Sequence, residues 1–143
     1  IHSNNIKLTF IGDTSLLTKV LQIKIKEIEN VTSRNKRLVL NVALNYGGRL
    51  DIVNSVNTFY NNKKKIKKIT EKDINSGLYT KGQSDVDLLI RTGGQQRMSN
   101  FLLWQSAYAE LFFSKKLWPD FDEKIFVNAL YFFQNTERKF GSI

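Results

Sequence analysis

The chain alternates between short apolar stretches and longer segments whose apolar residues recur every three or four positions. Two apolar stretches, residues 7–13 and 36–44, predict buried strands. A segment with helical spacing follows each of them, and the second of these helices is predicted at residues 50–60. Thr14 and Ser15 can accept hydrogen bonds from the free N–H groups at a helix start, so we predict that they cap the first helix.

The rest of the chain predicts one more strand and three more helices. A short helix with a loop is predicted at residues 69–78, and the apolar run 86–90 predicts a third strand. Residues 101–113 are apolar on nearly every side and are predicted to form a helix. A last helix is predicted at 123–140, ended by Gly141.

This order of strands and helices is typical of α/β proteins, in which helices flank a parallel sheet. We therefore expect a parallel sheet flanked by helices, formed by a single domain over residues 1–143. Ligands of such folds bind beyond the carboxyl ends of the strands. Three predicted strand ends carry unusual turns, at residues 12–13, 45–49 and 91–99.

The composition excludes several kinds of chemistry. The chain has no cysteine and one histidine, His2, which rules out disulfides, thiolate metal sites and cysteine nucleophiles. It has no apolar run long enough to span a membrane and no signal peptide at its start, so we expect a cytoplasmic protein. The net charge of +9 does not by itself indicate nucleic-acid binding, because the arginines are scattered and no binding motif is present.

The chain begins at Ile1, and its only methionine is Met98. We therefore expect it to be a piece of a longer polypeptide. An N-terminal part outside this sequence is then expected to carry some of the functional residues.

The turn after the third predicted strand indicates an anion site. Arg91 follows an apolar strand, so its charge calls for an anion at the edge of the sheet. Gly93 and Gly94 would let the backbone approach a ligand closely, and Arg97 brings a second guanidinium group. Ser99 would cap the next helix, whose free N–H groups could face a phosphate. The alternative is an ordinary glycine turn with solvated arginines.

The predicted helix 101–113 contains one charged residue, Glu110. A carboxylate in apolar surroundings needs a cation, and beside a diphosphate that cation would be Mg²⁺. The alternative, which spacing alone favours, is an ion pair with a lysine or arginine at the surface. An apolar helix of this kind also indicates a core position or a contact with another subunit.

These segments, taken together, resemble a known enzyme family. The sequence resembles the cis-prenyltransferases, most specifically the bacterial undecaprenyl diphosphate synthases, and corresponds to the C-terminal portion of their fold. The segments that carry the resemblance are Ile11–Asp13, Asn41–Arg49, Asp87–Gly94, Arg97–Gln105, Ala107–Leu111, Leu117–Asp122 and Glu137–Gly141.

The resemblance implies an activity and a set of substrate ligands. The enzyme would condense isopentenyl diphosphate with an allylic diphosphate, farnesyl diphosphate, in cis geometry to give undecaprenyl diphosphate, with Mg²⁺ as cofactor. Arg91, Arg97 and Ser99 would bind the diphosphate of isopentenyl diphosphate, and Met98 would contribute through its backbone. Glu110 would help to hold Mg²⁺ in the site of the neighbouring subunit of a homodimer.

Other positions are implied less directly. Arg138 and Gly141 resemble an arginine-glycine tail near the dimer interface and the active site, whereas Gln95 and Gln96 depart from the acidic residue and histidine of the bacterial pattern. Apolar strand residues would line the path of the growing chain or form plain core: Leu38, Leu40, Val42 and Leu44. The catalytic residues are expected in the N-terminal part, so we predict that these 143 residues alone do not turn over substrate.

Two alternatives to this enzyme remain. The chain could be a non-catalytic subunit of a heteromeric cis-prenyltransferase, although the retained Arg91, Arg97, Ser99 and Glu110 argue against that. It could also be a basic module that binds nucleic acid or a lipid surface through Lys63–Lys68. A peripheral contact with the membrane would also suit an enzyme with a lipid product.

Overall fold

The structure, a computed structural model, describes residues 3–61 and 68–138 and divides into two compact units, Ile1–Gly82 and Gln83–Ile143. The first unit contains β1 (Ile6–Ile11), α1 (Lys19–Thr32), β2 (Leu38–Ala43), α2 (Gly48–Asn61) and α3 (Glu71–Gly77). The second contains β3 (Leu88–Arg91), β4 (Glu110–Phe113) and α4 (Glu123–Asn135). The single domain expected from the sequence stays a prediction. Gly141 and residues 63–67 of the lysine run lie outside the described residues.

The first unit is built on a parallel pair of strands. β1 and β2 align from Ile6 opposite Leu38 to Ile11 opposite Ala43, and α1 makes the crossover that parallel strands require. Side chains of α1 occupy the other edge of β1. The Thr32 Oγ1 accepts the Leu8 N–H at 3.1 Å, and a Glu29 carboxylate oxygen accepts the Phe10 N–H at 2.9 Å. These bonds satisfy strand N–H groups that would otherwise be unpaired.

The start of α1 differs from the prediction. The cap is Thr18, whose hydroxyl accepts the Leu21 N–H, and Thr14 and Ser15 instead lie in a separate short 3₁₀ turn that Asp13 caps. The Asp13 carboxylate accepts both the hydroxyl and the N–H of Ser15, at 2.6 and 2.9 Å. These two bonds, the hydroxyl first, lower the pKa of Asp13.

Helices α2 and α3 pack closely because both contact residues are small. Ser55 is fully buried and donates its hydroxyl to the Ile74 carbonyl oxygen at 2.6 Å. Gly77 faces Ser55, and a Cβ on this glycine would lie 2.4 Å from the Ser55 Oγ. Asp51, also buried, accepts the Tyr46 hydroxyl and the Tyr79 N–H, both at 2.9 Å. Its carboxylate therefore joins the turn before α2 to the loop after α3.

Much of the apolar surface predicted to be core is exposed. On α1, Ile25 is buried, whereas Val20 is 71% exposed. On β2, Leu38 and Leu40 are 53% and 41% exposed, so neither is plain core of the first unit. Across residues 3–61 and 68–138, no helix combines the length and the apolar character needed to cross a membrane.

The second unit corrects the prediction of a helix at residues 101–113. Residues 99–108 form successive turns, with positive φ angles at Ser99, Asn100 and Leu102, and the segment ends in strand β4 rather than in a helix. An α-helix needs negative φ at each residue. The apolar run of β4 is short, and periodicity alone does not distinguish a short buried strand from part of a buried helix.

β3 and β4 are parallel, with Leu88 opposite Glu110 and Arg91 opposite Phe113. α4 packs on β4 through the rings of Phe112 and Phe132, whose centroids are 5.7 Å apart. The helix ends at Asn135, where Thr136 follows in an extended conformation, so the predicted extension to residue 140 is wrong. The strands of the described residues thus form two parallel pairs, and the third predicted strand belongs to the second pair.

Candidate functional site

A cavity of about 270 Å³ lies at the carboxyl end of β3. All four residues predicted to bind substrate line this cavity: Arg91, Arg97, Met98 and Ser99. The apolar part of its wall comes from Leu89 and Ile90 on β3 and from Phe101 in the following turns. The cavity therefore combines two guanidinium groups and a hydroxyl with a wall that excludes water from one side.

The two arginines converge on one hydroxyl. Arg91 Nη1 donates to the Ser99 Oγ at 2.8 Å and also to the Arg97 carbonyl oxygen. Arg97 Nε donates to the same Ser99 Oγ at 3.2 Å. Because this oxygen accepts both bonds, the hydroxyl proton of Ser99 remains available to a ligand. We call these three side chains the Arg–Ser cluster.

Gln95 holds the other side of the Arg97 guanidinium group. Its side-chain oxygen accepts Arg97 Nη1 at 2.7 Å. This acceptor is uncharged, so it orients the guanidinium group without neutralising it. Sequence reasoning had noted Gln95 only as a departure from the bacterial pattern, and the spacing of two residues gave no signal of the contact.

The sequence predicted that Gly93 and Gly94 let the backbone approach a ligand closely, but the structure gives them a different role. Their N–H groups do not face the cavity, because they donate to the Lys116 and Ser114 carbonyl oxygens at 2.7 and 2.9 Å. Both glycines have positive φ, 85° and 75°, which side chains disfavour. They are therefore required by the turn that joins β3 to the segment after β4, rather than by a close approach of the backbone to a ligand.

Ser99 does not cap a helix, and the helix N-terminus predicted to face a phosphate is absent from the described residues. Its φ of 47° belongs to a turn. The backbone N–H group of Met98 is a candidate phosphate donor instead. Within the described part of the chain no acceptor contacts the Met98 N–H, and Met98 lines the cavity. The turn at Met98 thus supplies a backbone N–H group at the cavity wall instead of a helix terminus.

Glu110 lies apart from the Arg–Ser cluster within this chain. It begins β4 opposite Leu88, whereas Arg91 lies opposite Phe113, three positions further along. At about 3.3 Å per residue, this separation along the strands is roughly 10 Å. The Glu110 side chain is half-buried, and no side chain of the described residues forms an ion pair or hydrogen bond with its carboxylate. The predicted surface ion pair is therefore not seen there.

The described residues contain no group of three or more histidine, aspartate or glutamate side chains that could hold a metal ion. Mg²⁺ bound to a diphosphate needs only one or two protein carboxylates, because phosphate oxygens and water complete its shell. Glu110 fits one such ligand. It does not by itself form a complete metal site.

A family model described as "Putative undecaprenyl diphosphate synthase" matches residues 1–141. The chain belongs to this prenyltransferase family. Its α/β fold with parallel strands is that of the family, which confirms the fold class predicted from the sequence. The resemblance of the motif segments is confirmed as well.

The relatives show how much of a family member this chain represents. It is 48% identical over 145 residues to a farnesyl-diphosphate-specific ditrans,polycis-undecaprenyl-diphosphate synthase of Yersinia pseudotuberculosis. The matched region covers 99% of this chain and 58% of the Yersinia protein. A probable undecaprenyl diphosphate synthase from Campylobacter jejuni superposes with a TM-score of 0.90 at 35% identity, covering 99% of this chain and 66% of that one.

A plant protein of known structure is also similar to this chain. Lavandulyl diphosphate synthase from Lavandula x intermedia, in complex with dimethylallyl diphosphate, superposes with a TM-score of 0.90 at 36% identity. The superposition covers 96% of this chain and 61% of the plant protein. The chain therefore spans about three fifths of the length of the family members that it matches.

Proposed function

We propose that this chain is the C-terminal part of a cis-prenyltransferase that condenses isopentenyl diphosphate with farnesyl diphosphate to give undecaprenyl diphosphate. The observation that carries the proposal is the convergence of Arg91 and Arg97 on Ser99 at the wall of the cavity. Guanidinium groups match the oxygens of a phosphate in pairs, and two of them side by side favour a diphosphate. The names of the bacterial relatives support the reaction and the starter substrate.

In this reaction the allylic carbon–oxygen bond breaks, a carbon–carbon bond forms to the isopentenyl unit, and that unit loses a proton. The Arg–Ser cluster and the Met98 N–H would bind the diphosphate of isopentenyl diphosphate, which fixes where its double bond lies. Leu89, Ile90 and Phe101 would keep water from the reacting carbons. The main contribution of this chain is thus orientation of the accepting substrate.

We propose Glu110 as the ligand that this chain contributes to Mg²⁺. When bound, the ion supplies positive charge that stabilises the departing diphosphate. Because Glu110 lies roughly 10 Å along the strands from the Arg–Ser cluster, we propose that it serves the site of the second subunit of a homodimer. The homodimer, the cytoplasmic location and a peripheral membrane contact stay predictions.

The observations favour the enzyme over its alternatives. A non-catalytic subunit has no need for two arginines held on one hydroxyl at a cavity wall. The Arg–Ser cluster is compact and backed by apolar side chains, which suits a small anion with an apolar tail better than a nucleic-acid backbone.

The test is incorporation of labelled isopentenyl diphosphate by the full-length protein, with farnesyl diphosphate and Mg²⁺. We expect a polyprenyl diphosphate product that disappears with EDTA. Arg97→Ala should raise the KM for isopentenyl diphosphate by about 10- to 100-fold, the loss of a charge-assisted contact, with a small change in the KM for farnesyl diphosphate. Arg34→Ala removes an exposed arginine outside the cavity and is the matched control.

Two results would contradict the proposal. An Arg97→Ala variant with unaltered kinetics would show that the Arg–Ser cluster does not bind isopentenyl diphosphate. A full-length protein without prenyl transfer, in a correctly folded state, would favour the non-catalytic subunit. Residues 1–143 tested alone should be inactive, and turnover by them would contradict the expectation that catalytic residues lie elsewhere.

A further inference from the structure

Arg138 forms a bridge at the opposite end of the β3–β4 pair from the cavity. It follows α4 and is largely buried, with 22% of its side chain exposed. Its Nη1 lies 2.7 Å from an Asp87 carboxylate oxygen, and its Nη2 donates to the Tyr108 carbonyl oxygen at 3.5 Å. Its guanidinium carbon lies 5.2 Å from the centroid of the Phe133 ring. One guanidinium group therefore contacts the segments that lead into both strands.

Both of those segments are joined directly to Glu110, one by a backbone hydrogen bond and the other through the chain. The Glu110 N–H donates to the Asp87 carbonyl oxygen at 2.9 Å, and Tyr108 lies two residues before Glu110 in the chain. Glu110 is the first residue of a strand of four residues. Terminal residues of short elements open most readily, so the backbone of Glu110 depends on contacts made just before the strand begins.

We propose that Arg138 is a positioning residue, which through Asp87 and Tyr108 fixes the backbone from which the Glu110 carboxylate extends. This inference rests on the proposed function, because it gives Glu110 its importance as a metal ligand. The geometry favours positioning over general stabilisation. Asp87 is 65% exposed, and ion pairs with an exposed partner contribute little to global stability. The same pair, however, sets where a strand of four residues begins.

The experiment uses the full-length protein with Arg138→Ala, the nearly isosteric Asp87→Asn, and Arg34→Ala as the matched control. The first measurement is amide hydrogen exchange at residues 109–113 without any ligand. The second is the Mg²⁺ concentration that gives half-maximal prenyl transfer, together with the KM for isopentenyl diphosphate. The third is the Tm. Arg138→Lys, which keeps the charge but lacks the planar second donor, tests how much of the effect comes from the Tyr108 contact.

We expect Arg138→Ala to speed exchange at Glu110 by about tenfold or more, with little change in helix α1. The half-saturating Mg²⁺ concentration should rise by about tenfold, the usual effect of removing a residue that orients a metal ligand. The KM for isopentenyl diphosphate should stay within about twofold, because the Arg–Ser cluster is untouched. Asp87→Asn should give a smaller change in the same direction, and Arg138→Lys should lie between wild type and alanine.

Unchanged exchange at Glu110 and unchanged Mg²⁺ dependence in Arg138→Ala would overturn the inference while leaving the proposed function intact. Faster exchange throughout the second unit with a matching loss of Tm would also overturn it, because the role would then be structural only. If Arg138→Ala does not fold, Asp87→Asn decides in the same way. A wild-type protein without prenyl transfer would instead refute the proposed function and, with it, the role of Glu110.

Discussion

Removing the hydroxyl of Ser99 should weaken diphosphate binding without changing the number of charges in the site. Ser99→Ala takes away the oxygen that accepts Arg91 Nη1 at 2.8 Å and Arg97 Nε at 3.2 Å. It also removes a hydroxyl proton that could bond to a phosphate oxygen. Arg97 Nε would then bond to water, whereas Arg91 Nη1 would keep its bond to the Arg97 carbonyl oxygen.

The size of the effect follows from these contacts. A hydrogen bond to a charged group contributes about 1.5–3 kcal/mol. Ser99 is exposed, so water replaces part of what the two arginines lose, and we take one such contribution for the whole change. At about 1.4 kcal/mol per factor of ten, the Kd for pyrophosphate should rise roughly 10- to 150-fold.

The assay is calorimetric titration of the full-length protein with inorganic pyrophosphate at two salt concentrations. The salt dependence should be that of wild type in Ser99→Ala, since both arginines remain, and weaker in Arg97→Ala, which has lost a charge. Ser99 has a φ of 47°, so Ser99→Gly separates hydroxyl loss from backbone strain and should bind as weakly as alanine. Ser33→Ala, an exposed serine that donates to the Asn30 carbonyl oxygen, is the control. Wild-type affinity in both Ser99 variants would refute the reasoning.

Two further predictions concern the first unit. Gly77→Ala should destabilise it by about 1–2 kcal/mol, because overpacking costs about 1–3 kcal/mol and outweighs the helix propensity of alanine; the new Cβ would lie 2.8 Å from the Ser55 Cα. Urea unfolding measures this change against Ser76→Ala, and a gain in stability would contradict the contact. An NMR titration should place the pKa of Asp13 below its ordinary 3.8, and Ser15→Ala should raise it. The stabilisation from these bonds is present above the ordinary pKa and is lost as the pH falls through the lowered one; an Asp13 pKa that is the same in both proteins would contradict the assignment.

The sequence was sufficient for the elements whose pattern is long or whose termini are chemically marked. β1, β2, α2 and α3 lie close to their predicted positions, because apolar strands and helical spacing persist in any packing. The candidate substrate ligands were found for a similar reason. Arg91, Arg97 and Ser99 lie within nine residues at the end of an apolar strand, where ligands of α/β folds bind, so their residue types alone marked them as candidates.

The segment 99–113 shows what the sequence could not decide. Its apolar residues fit a buried helix as well as turns followed by a short strand, and positive φ at Ser99, Asn100 and Leu102 appears only in the folded chain. Gly93 and Gly94 signalled a special backbone, but whether their N–H groups face a ligand or the Lys116 and Ser114 carbonyl oxygens depends on residues at least 20 positions away.

The sequence by itself determined the family, strands β1 to β3 and the set of side chains that could bind a diphosphate, because motifs and periodicity are local properties. Tertiary structure alone decided that Arg91 and Arg97 share one hydroxyl, that Glu110 begins a strand at the other end of β3, and that Arg138 reaches Asp87. Each of these depends on pairing between distant segments. Such pairing is set by packing and backbone hydrogen bonding, which no single stretch of residues specifies.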